Sequence, residues 1–169
     1  MFFQDEARFG RINDPRRCWA PKGMRPIVPK QIIREYTYAY AAVGPFTGDA
    51  CFLILPAMDI QCMDVFLQEL SRRYSKSFLL LIHDRAPCHS KSALSIPENI
   101  MIENLPPYSP ELNPTENIWK DVREKFFHNL VFASQEALEE QLTSACNFYE
   151  QHTRIVKSIT GWKWIIKYS

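Results

Sequence analysis

Three acidic residues stand at positions where their side chains could do chemistry. Asp5 lies in the first predicted strand, Asp84 ends the apolar run FLLLIH, and Glu116 opens the helix that follows a proline-rich loop. An unpaired buried charge costs several kcal/mol, so a carboxylate that closes so apolar a strand requires water, a partner or a cation. Carboxylate oxygens are the ligands that Mg²⁺ prefers, and two such ions about 3.5–4 Å apart stabilise both the attacking and the leaving oxygen of a phosphoryl displacement. Three carboxylates on separate elements suit that reaction.

Each carboxylate also has a purely structural interpretation. Asp5 and the acidic residue after it could form a solvated strand end. Asp84 could pair with Arg85 or belong to a turn. The segment from Asn113 to Glu116 fits the N-cap to N3 positions of a capping box, in which the carboxylate bonds back to the cap.

Histidine and cysteine residues give weaker signals. His83 and His89 flank Asp84, but no His/Cys spacing typical of a zinc site accompanies them, so we expect His89 to orient a ligand or to contact a phosphate. The five cysteines include no CxxC pair, which argues against a disulfide framework or a zinc knuckle. Cys88 beside His89 is a poor nucleophile and base pair, because neighbouring residues on a chain rarely present their side chains to each other.

The elements that would position these residues follow from hydrophobic periodicity. Apolar and β-branched runs predict strands, spacings of three and four predict helices, and GPFTGD predicts a hairpin turn. The predicted strands span residues 1–7, 36–44, 50–55, 77–84 and 101–105, and the main predicted helices span residues 59–74, 114–127 and 134–151. The four prolines of LPPYSPELNPTE predict a loop without regular structure. The order β-β-β-α-β-α-β-α-α predicts an α/β fold, a mixed sheet with helices against it, in a single domain over residues 1–169.

The net charge of +1 conceals an uneven distribution. Seven basic residues and one acidic residue lie between Arg8 and Lys30, and four basic residues without a carboxylate lie between His152 and Ser169. These segments suggest a polyanionic partner, although a solvated surface is the simpler interpretation of either run taken alone. The apolar runs Phe78–Ile82 and Cys51–Leu55 span five residues each, against about 20 for a membrane span, and the N-terminus lacks a secretory signal. We therefore expect a cytoplasmic protein without a membrane partner.

Four segments together resemble the catalytic domain of DDE-superfamily transposases. The similarity is greatest to the mariner-like and bacterial insertion-sequence branch of these DDE endonucleases, and it extends from Phe2 to about Leu142. The segments are QDEARFG (4–10), CWAPKGMRP (18–26), LLLIHDRAPCHSK (79–91) and LPPYSPELNPTENIWKDVREKF (105–126). The combination of HDxAPxH with PPYSPELNPxE is the most specific part of the resemblance.

This resemblance implies a fold, a reaction and a metal site. The fold would be RNase H-like, with a mixed five-stranded sheet flanked by helices. Asp5, Asp84 and Glu116 match the catalytic triad, which would bind two Mg²⁺ or Mn²⁺ ions, whereas Glu111 matches a substitutable acidic position. The implied reaction is cleavage of DNA at transposon ends, followed by transfer of the freed strand into target DNA at a TA dinucleotide.

The resemblance also implies partners. Trp19, Lys22 and Arg25 fall in the family's basic segment between the first two strands, where contacts with DNA are expected, and His89 is a further candidate contact. The DNA would comprise transposon ends and target. A homodimer is expected as well, because two element ends must be joined.

Three features depart from the family pattern. Arg85 stands where the family usually has Asn, which puts a fixed positive charge beside a metal ligand. Thirty-one residues separate Asp84 from Glu116, a little fewer than is common. Asp5 comes almost first in the chain, so we expect a catalytic domain without the N-terminal helix-turn-helix domains of complete members.

Three other interpretations stay open. An RNase H-type nuclease would share the sheet and the carboxylates but lack strand transfer. A degenerate or co-opted fragment would bind DNA or dimerise through its basic and aromatic edges without catalysis. A generic α/β domain would require that all three acidic residues match by coincidence.

Overall fold

Five strands form one mixed sheet with the order β3-β2-β1-β4-β5. The computed structural model describes residues 1–84 and 94–167 of the 169 residues. The strands are β1 (Phe2–Ile12), β2 (Ile32–Val43), β3 (Ala50–Leu55), β4 (Leu79–His83) and β5 (Ile100–Asn104). β1 lies at the centre of the sheet, because it pairs antiparallel with β2 and parallel with β4.

Helices cover both faces of this sheet. They are α1 (Ile60–Arg73), α2 (Thr115–Phe126), α3 (Gln135–Gln151), α4 (Thr153–Thr160) and α5 (Lys163–Lys167). α1 packs on one face, where Phe66 and Leu70 join a core with Phe2 and Tyr40. The other four helices contribute to the core on the opposite face, which contains Trp119, Leu142, Val156 and Ile165. The mixed sheet with flanking helices confirms the predicted fold class.

The alternation of side chains along β1 determines which residue faces which layer. Phe3, Ala7 and Phe9 are buried in the core beneath α2 and α3, whereas Phe2 belongs to the core beneath α1. Successive side chains of a strand point to opposite faces, so Asp5 lies on the same face as Phe3 and Ala7. A carboxylate therefore interrupts an otherwise apolar stripe.

Side chains cap the N-termini of two helices. Asp59 caps α1, because its side chain accepts a hydrogen bond from the Cys62 amide at 2.8 Å. Ser134 caps α3 in the same way by accepting from the Ala137 amide at 3.2 Å. The predicted helices over residues 59–74, 114–127 and 134–151 are confirmed to within one or two residues.

Several boundaries differ from the prediction. β1 continues five residues beyond the predicted end at residue 7, because it stays paired with β2 as far as Ile12 opposite Ile32. The loop predicted to be irregular contains one 3-10 turn, Pro110–Leu112, since proline fits the first turn of a helix. The helix that the predicted order places before β5 falls largely on residues 85–93, outside the described residues, and residues 94–99 form no helix.

The C-terminal segment is more ordered than its charge suggests. The basic run from His152 forms α4 and α5, which bury Val156, Thr160 and Ile165 while their basic side chains stay exposed. The apolar periodicity of this segment, not its charge, decides its structure. Within the described part of the chain, every helix is too short or too polar to cross a bilayer.

Candidate active site

Asp5 is held in the middle of the central strand. Its carboxylate is 9% exposed, and Oδ2 accepts a hydrogen bond from the indole Nε1 of Trp119 at 3.0 Å. Trp119 comes from α2 and packs its ring edge-on against Phe9 and Phe52. The orientation of the Asp5 carboxylate is therefore determined by a core residue of the opposing helix.

Asp84 follows β4 by one residue and is exposed. The parallel register places Phe2 opposite Leu81 and Phe3 opposite Ile82. Continuing this register by two residues brings Asp84 level with Asp5 on the adjacent strand, and adjacent strands lie about 4.8 Å apart. The end of β4 thus delivers the second carboxylate beside the first.

Glu116 is positioned by hydrogen bonds that fasten the start of α2 to β1. The Asn113 amide nitrogen donates to the Gln4 carbonyl at 2.9 Å, and the Thr115 hydroxyl donates to the Phe3 carbonyl at 3.0 Å. Both side chains are buried. The helix therefore begins directly beside Asp5, and the exposed Glu116 side chain follows in its first turn.

The structure does not form the capping box that was the structural alternative for Glu116. Asn113 precedes the N-cap residue Pro114, and its Oδ1 accepts from the Thr115 amide at 3.1 Å. Within residues 1–84 and 94–167, no hydrogen bond joins the Glu116 carboxylate to Asn113. The carboxylate is left for solvent or a ligand.

The other two carboxylates act electrostatically on Asp5. The pKa of Asp5 is raised from 3.8 to about 8, first by burial and then by the negative charges of Glu116, Glu6 and Asp84. Each of the other two predicted triad members therefore lies close enough to oppose ionisation of Asp5. Glu111 is exposed on the 3-10 turn and is absent from the charges that act on Asp5.

This donor set fits a hard divalent cation. It consists of carboxylate oxygens, and a cation between them would remove the repulsion that raises the Asp5 pKa. In the described ranges, no three His, Cys, Asp or Glu side chains are already gathered as closely as metal coordination requires. The carboxylates converge on one region, and their side chains would still have to turn toward a shared ion.

A basic residue that the sequence analysis did not single out lies on the same helix as Glu116. Arg123 follows it by seven residues, which is two helical turns, and packs over the Phe9 ring with its guanidinium carbon 5.1 Å from the ring centroid. Glu116 and Asp5 favour its charged form, whereas burial lowers its pKa. Among the described residues, its guanidinium forms no hydrogen bond or ion pair. The spacing of seven on a predicted helix was the signal available in the sequence.

Arg123 also borders a cleft of about 210 Å³ that leads away from the carboxylates. Arg8 and Arg16 line the same cleft. Arg16 is paired with Glu124 at 2.5 Å, while Arg8 lies over the Tyr36 ring at 4.6 Å. The cleft gives the carboxylates a basic neighbour of the kind that a phosphate backbone requires.

The other predicted DNA contacts lie apart from the carboxylates. Trp19, Lys22 and Arg25 are all exposed on residues 13–31, a segment without regular secondary structure between β1 and β2, here called the arm. At about 3.3 Å per residue, the seven residues of β1 from Asp5 to Ile12 place the start of the arm about 23 Å from Asp5. His89, together with Arg85 and Cys88, lies outside the described residues.

Comparison with known proteins identifies the family. The family model of the DDE superfamily endonucleases matches residues 1–139. The chain belongs to this family. A relative of this DDE endonuclease domain, the uncharacterized protein y4pE/y4sA of Sinorhizobium fredii, is 34% identical over 113 residues, which is 66% of this chain and 84% of the relative.

Solved structures with the same fold are transposase complexes. The Mos1 transposase paired-end complex with the left transposon end matches 95% of this chain and 55% of the transposase chain, with a TM-score of 0.61 and 14% identity. The Mos1 mariner paired-end complex with Mn matches 94% and 52%, with a TM-score of 0.63 and 17% identity. The chain spans about half the length of these transposases. The predicted RNase H-like fold is thereby confirmed, and the family match confirms the predicted DDE superfamily endonuclease domain.

Proposed function

We propose that this domain cleaves DNA at transposon ends and transfers the freed strand to target DNA, with Asp5, Asp84 and Glu116 as the catalytic and metal-binding residues. The observation that carries the proposal is the convergence of three elements, since β4 ends beside Asp5 in the parallel register and the start of α2 is hydrogen-bonded to β1 at Gln4 and Phe3. Family membership and the transposase-like fold support the same reaction. The domain is proposed to comprise residues 1–169.

The residues of the chain have distinct tasks in this proposal. Asp5 supplies a carboxylate whose orientation is set by Trp119, and Glu116 supplies one whose position is set by Asn113. Asp84 and Glu116 are both exposed, so a cation held by these carboxylates would be open to a DNA phosphate. Two bound Mg²⁺ or Mn²⁺ ions would supply Lewis acidity for the attacking and leaving oxygens of the phosphodiester. The Mos1 complexes include structures with Mn and with Mg.

Cationic and aromatic residues outside the triad would bind the DNA. Arg123 lies on the Glu116 helix with a guanidinium free to meet a phosphate oxygen, which is the group that arginine binds in a planar, two-pronged way. Lys22 and Arg25 of the arm would neutralise backbone phosphates, and Trp19 would stack on a base or sugar. A homodimer that holds two transposon ends is part of the proposal.

The experiment compares metal binding and DNA nicking in matched carboxamide variants. Mn²⁺ binding to the purified chain is measured by calorimetry, and nicking of supercoiled plasmid is measured in the same buffer. Asp84→Asn and Glu116→Gln are expected to lose both, whereas Glu111→Gln, an exposed acidic residue five positions earlier, is expected to retain both. A wild-type chain that binds no Mn²⁺ at about millimolar concentration, or a Glu111→Gln variant as inactive as Glu116→Gln, contradicts the assignment.

Strand transfer requires its own assay. A duplex with a free 3′ hydroxyl is incubated with a plasmid target and Mn²⁺, and joined products are separated by gel electrophoresis. Joined products that disappear in Asp84→Asn support the transposase reaction. Plasmid nicking without joined products would contradict strand transfer and would indicate a metal-dependent nuclease.

A further inference from the structure

The proline-rich loop between β5 and α2, residues 105–114, carries a fully exposed aromatic residue on a strained backbone. Tyr108 is 100% exposed, and its φ is +57°, in the left-handed region. Bulky residues rarely adopt that conformation, because Cβ crowds the backbone there, whereas glycine adopts it freely. The exposed ring buries no apolar surface that would offset the strain. Folding alone therefore does not account for a tyrosine at this position.

Both ends of the proline-rich loop are fastened beside the proposed catalytic carboxylates. The Leu105 amide donates to the His83 carbonyl at 2.8 Å, and the Leu105 side chain is buried. At the other end, the side-chain amide of Asn113 donates to the Gln4 carbonyl at 2.9 Å. The two accepting residues directly precede two of the three carboxylates in the chain. The loop therefore spans the space between the two strands that carry them.

Prolines restrict the backbone of the loop between these two fastenings. Pro106 and Pro107 come before Tyr108, and Pro110 opens the 3-10 turn two residues after it. Each proline fixes its own φ and disfavours the helical conformation in the residue before it. The Asn113 amide closes the turn by donating to the Pro110 carbonyl at 2.9 Å. The backbone that carries the exposed ring thus has little conformational freedom to lose when a ligand binds.

The proline-rich loop and Asp84 line one cleft of about 510 Å³, a volume typical of ligand sites. Most of its wall is formed by Leu105, Tyr108 and the three prolines of the loop. Among the lining residues that the structure describes, Asp84 is the charged one, and it is an anion. Apolar walls of this kind fit the flat face of a nucleobase, whereas a phosphate would meet no cationic side chain on them.

The position of the cleft beside Asp84 determines which part of the DNA it meets. In the proposed reaction, cations held by the triad contact the phosphodiester that is cut. Successive nucleotides of a strand are about 3.4 Å apart along the duplex, so a nucleoside next to that phosphate lies against the surface that adjoins Asp84. The nucleoside that carries the freed 3′ oxygen takes part in both cleavage and strand transfer. A fixed contact with its base would serve both steps.

We propose that Tyr108 is a DNA-contacting residue, whose ring stacks on the base of the nucleotide that carries the freed 3′ oxygen. The strained and restricted backbone presents the ring beside Asp84, and the stacked base holds the 3′ end of the strand at the carboxylates. Every base has a flat face, so the contact requires no particular sequence. The inference rests on the proposed function, because it requires that the phosphodiester lie at Asp84.

Photocross-linking tests the contact directly. A duplex of arbitrary sequence carries 5-iodouracil as the base of the nucleotide with the free 3′ hydroxyl, and it is irradiated with the full chain and Mn²⁺. Mass spectrometry then identifies the cross-linked residue, which is expected to be Tyr108. Tyr108→Phe keeps the ring and is expected to cross-link, whereas Tyr108→Ala is expected to lose the cross-link. A second duplex with 5-iodouracil in its interior should not cross-link to this residue.

Affinity and melting temperature supply a second comparison. Tyr108→Ala and Tyr108→Gly are expected to bind a fluorescein-labelled duplex with a free 3′ hydroxyl roughly tenfold more weakly by anisotropy, because one stacked base is lost. Tyr108→Phe should stay within about twofold of the wild type, since the stacking face is kept. Tyr108→Gly also relieves the strained backbone, so its melting temperature without DNA should not fall. Weaker DNA binding by an equally stable protein separates contact with DNA from a structural role.

Phe78→Ala is the matched control. Phe78 is also an exposed aromatic residue, at 68%, and it directly precedes β4, the strand that leads to Asp84. Six residues at about 3.3 Å each place it about 20 Å from Asp84. This variant is expected to bind both duplexes and to cross-link at Tyr108 like the wild type.

The possible failures are distinguishable. A wild type that neither nicks plasmid nor binds the duplex overturns the proposed function and this inference with it. A wild type that nicks plasmid but whose terminal 5-iodouracil does not cross-link to Tyr108 overturns the inference alone, as does wild-type affinity in Tyr108→Ala. Equal losses in Tyr108→Phe and Tyr108→Ala, or a lowered melting temperature of Tyr108→Gly, would assign the residue to stability instead of DNA contact.

Discussion

The indole nitrogen of Trp119 donates a hydrogen bond to Asp5 Oδ2 at 3.0 Å, and the two residues are 1% and 9% exposed. The donor is neutral, so it orients the carboxylate without compensating its charge. Burial raises the pKa of Asp5 most, and the negative charges of Glu116 and Asp84 raise it further. An orienting partner that leaves the negative charge in place suits a carboxylate intended for a cation.

Trp119→Phe is expected to lower the free energy of unfolding by about 1–3 kcal/mol, because it leaves a buried acceptor unsatisfied. Mn²⁺ affinity should fall as well, since the Asp5 carboxylate loses its orientation. Urea denaturation and calorimetry measure the two effects. Trp164→Phe, at a half-exposed site, is the matched control and should stay within about 0.5 kcal/mol of the wild type. Equal effects of the two substitutions would contradict a specific role for Trp119.

The metal-free protein is expected to lose stability as the pH rises from about 4 to about 8. In this interval the folded state keeps the proton of Asp5, whose pKa is about 8, whereas the unfolded chain has released it near its ordinary value of 3.8. The stabilisation is therefore complete below the unfolded pKa and is lost as the pH passes the folded pKa. Asp5→Asn should flatten the profile, which urea denaturation with a chelator at about pH 5 and about pH 8 would show. A variant profile as steep as that of the wild type would assign the slope to other groups.

Asn113→Ala is expected to weaken Mn²⁺ binding although it removes no carboxylate. The side chain donates to the Gln4 carbonyl and accepts from the Thr115 amide, so its loss frees the segment that carries Glu116. The stability cost should be about 2–3 kcal/mol, because buried backbone groups lose their partners. Asn117→Ala, one turn further along α2, is the control and should bind Mn²⁺ normally. Unchanged binding in both would refute the role of Asn113.

Gly48→Ala is expected to destabilise the protein by several kcal/mol, whereas Gly23→Ala costs about 1 kcal/mol. Both glycines have a positive φ, +80° and +89°. A Cβ at Gly48 would lie 2.0 Å from the Thr153 carbonyl oxygen, while a Cβ at Gly23 would meet nothing within 4 Å. Thermal melting distinguishes the two effects. Gly23→Ala reports the backbone strain alone, whereas Gly48→Ala reports the strain together with the clash between the β2–β3 turn and α4. Similar melting points would show that the turn can move away.

Local signals in the sequence were sufficient for most of the fold. The hairpin of β2 and β3 depends on neighbouring residues, and the turn GPFTGD predicts it. The second half of β1 was missed, because Arg8 and Gly10 interrupt its apolar pattern and only the pairing with β2 sustains it. The prediction omits α4 and α5, because it interprets residues 152–169 by their positive charge and not by the spacing of their apolar residues.

The site was predicted less completely than the fold. Asp5, Asp84 and Glu116 were chosen from the residues and the family motif, and their roles stay predictions. The groups that orient them could not be foreseen, since Trp119 reaches Asp5 across 114 positions and Asn113 reaches Gln4 across 109. Such contacts form only when the chain folds, so patterns among neighbouring residues do not predict them.

The sheet consists of two groups of strands, β3-β2-β1 and β4-β5, which are joined by a short pairing between β1 and β4. The register between β1 and β4 consists of Phe2 with Leu81 and Phe3 with Ile82, whereas β1 and β2 stay paired from Phe3 to Ile12. The core beneath α1 bridges this line, because it contains Phe2 and Tyr40 from one side and Leu81 and Ile102 from the other. Asp5 lies on β1, and Asp84 follows the last residue of β4. The packing of α1 against all five strands, more than the hydrogen bonds between β1 and β4, therefore keeps the two carboxylates side by side.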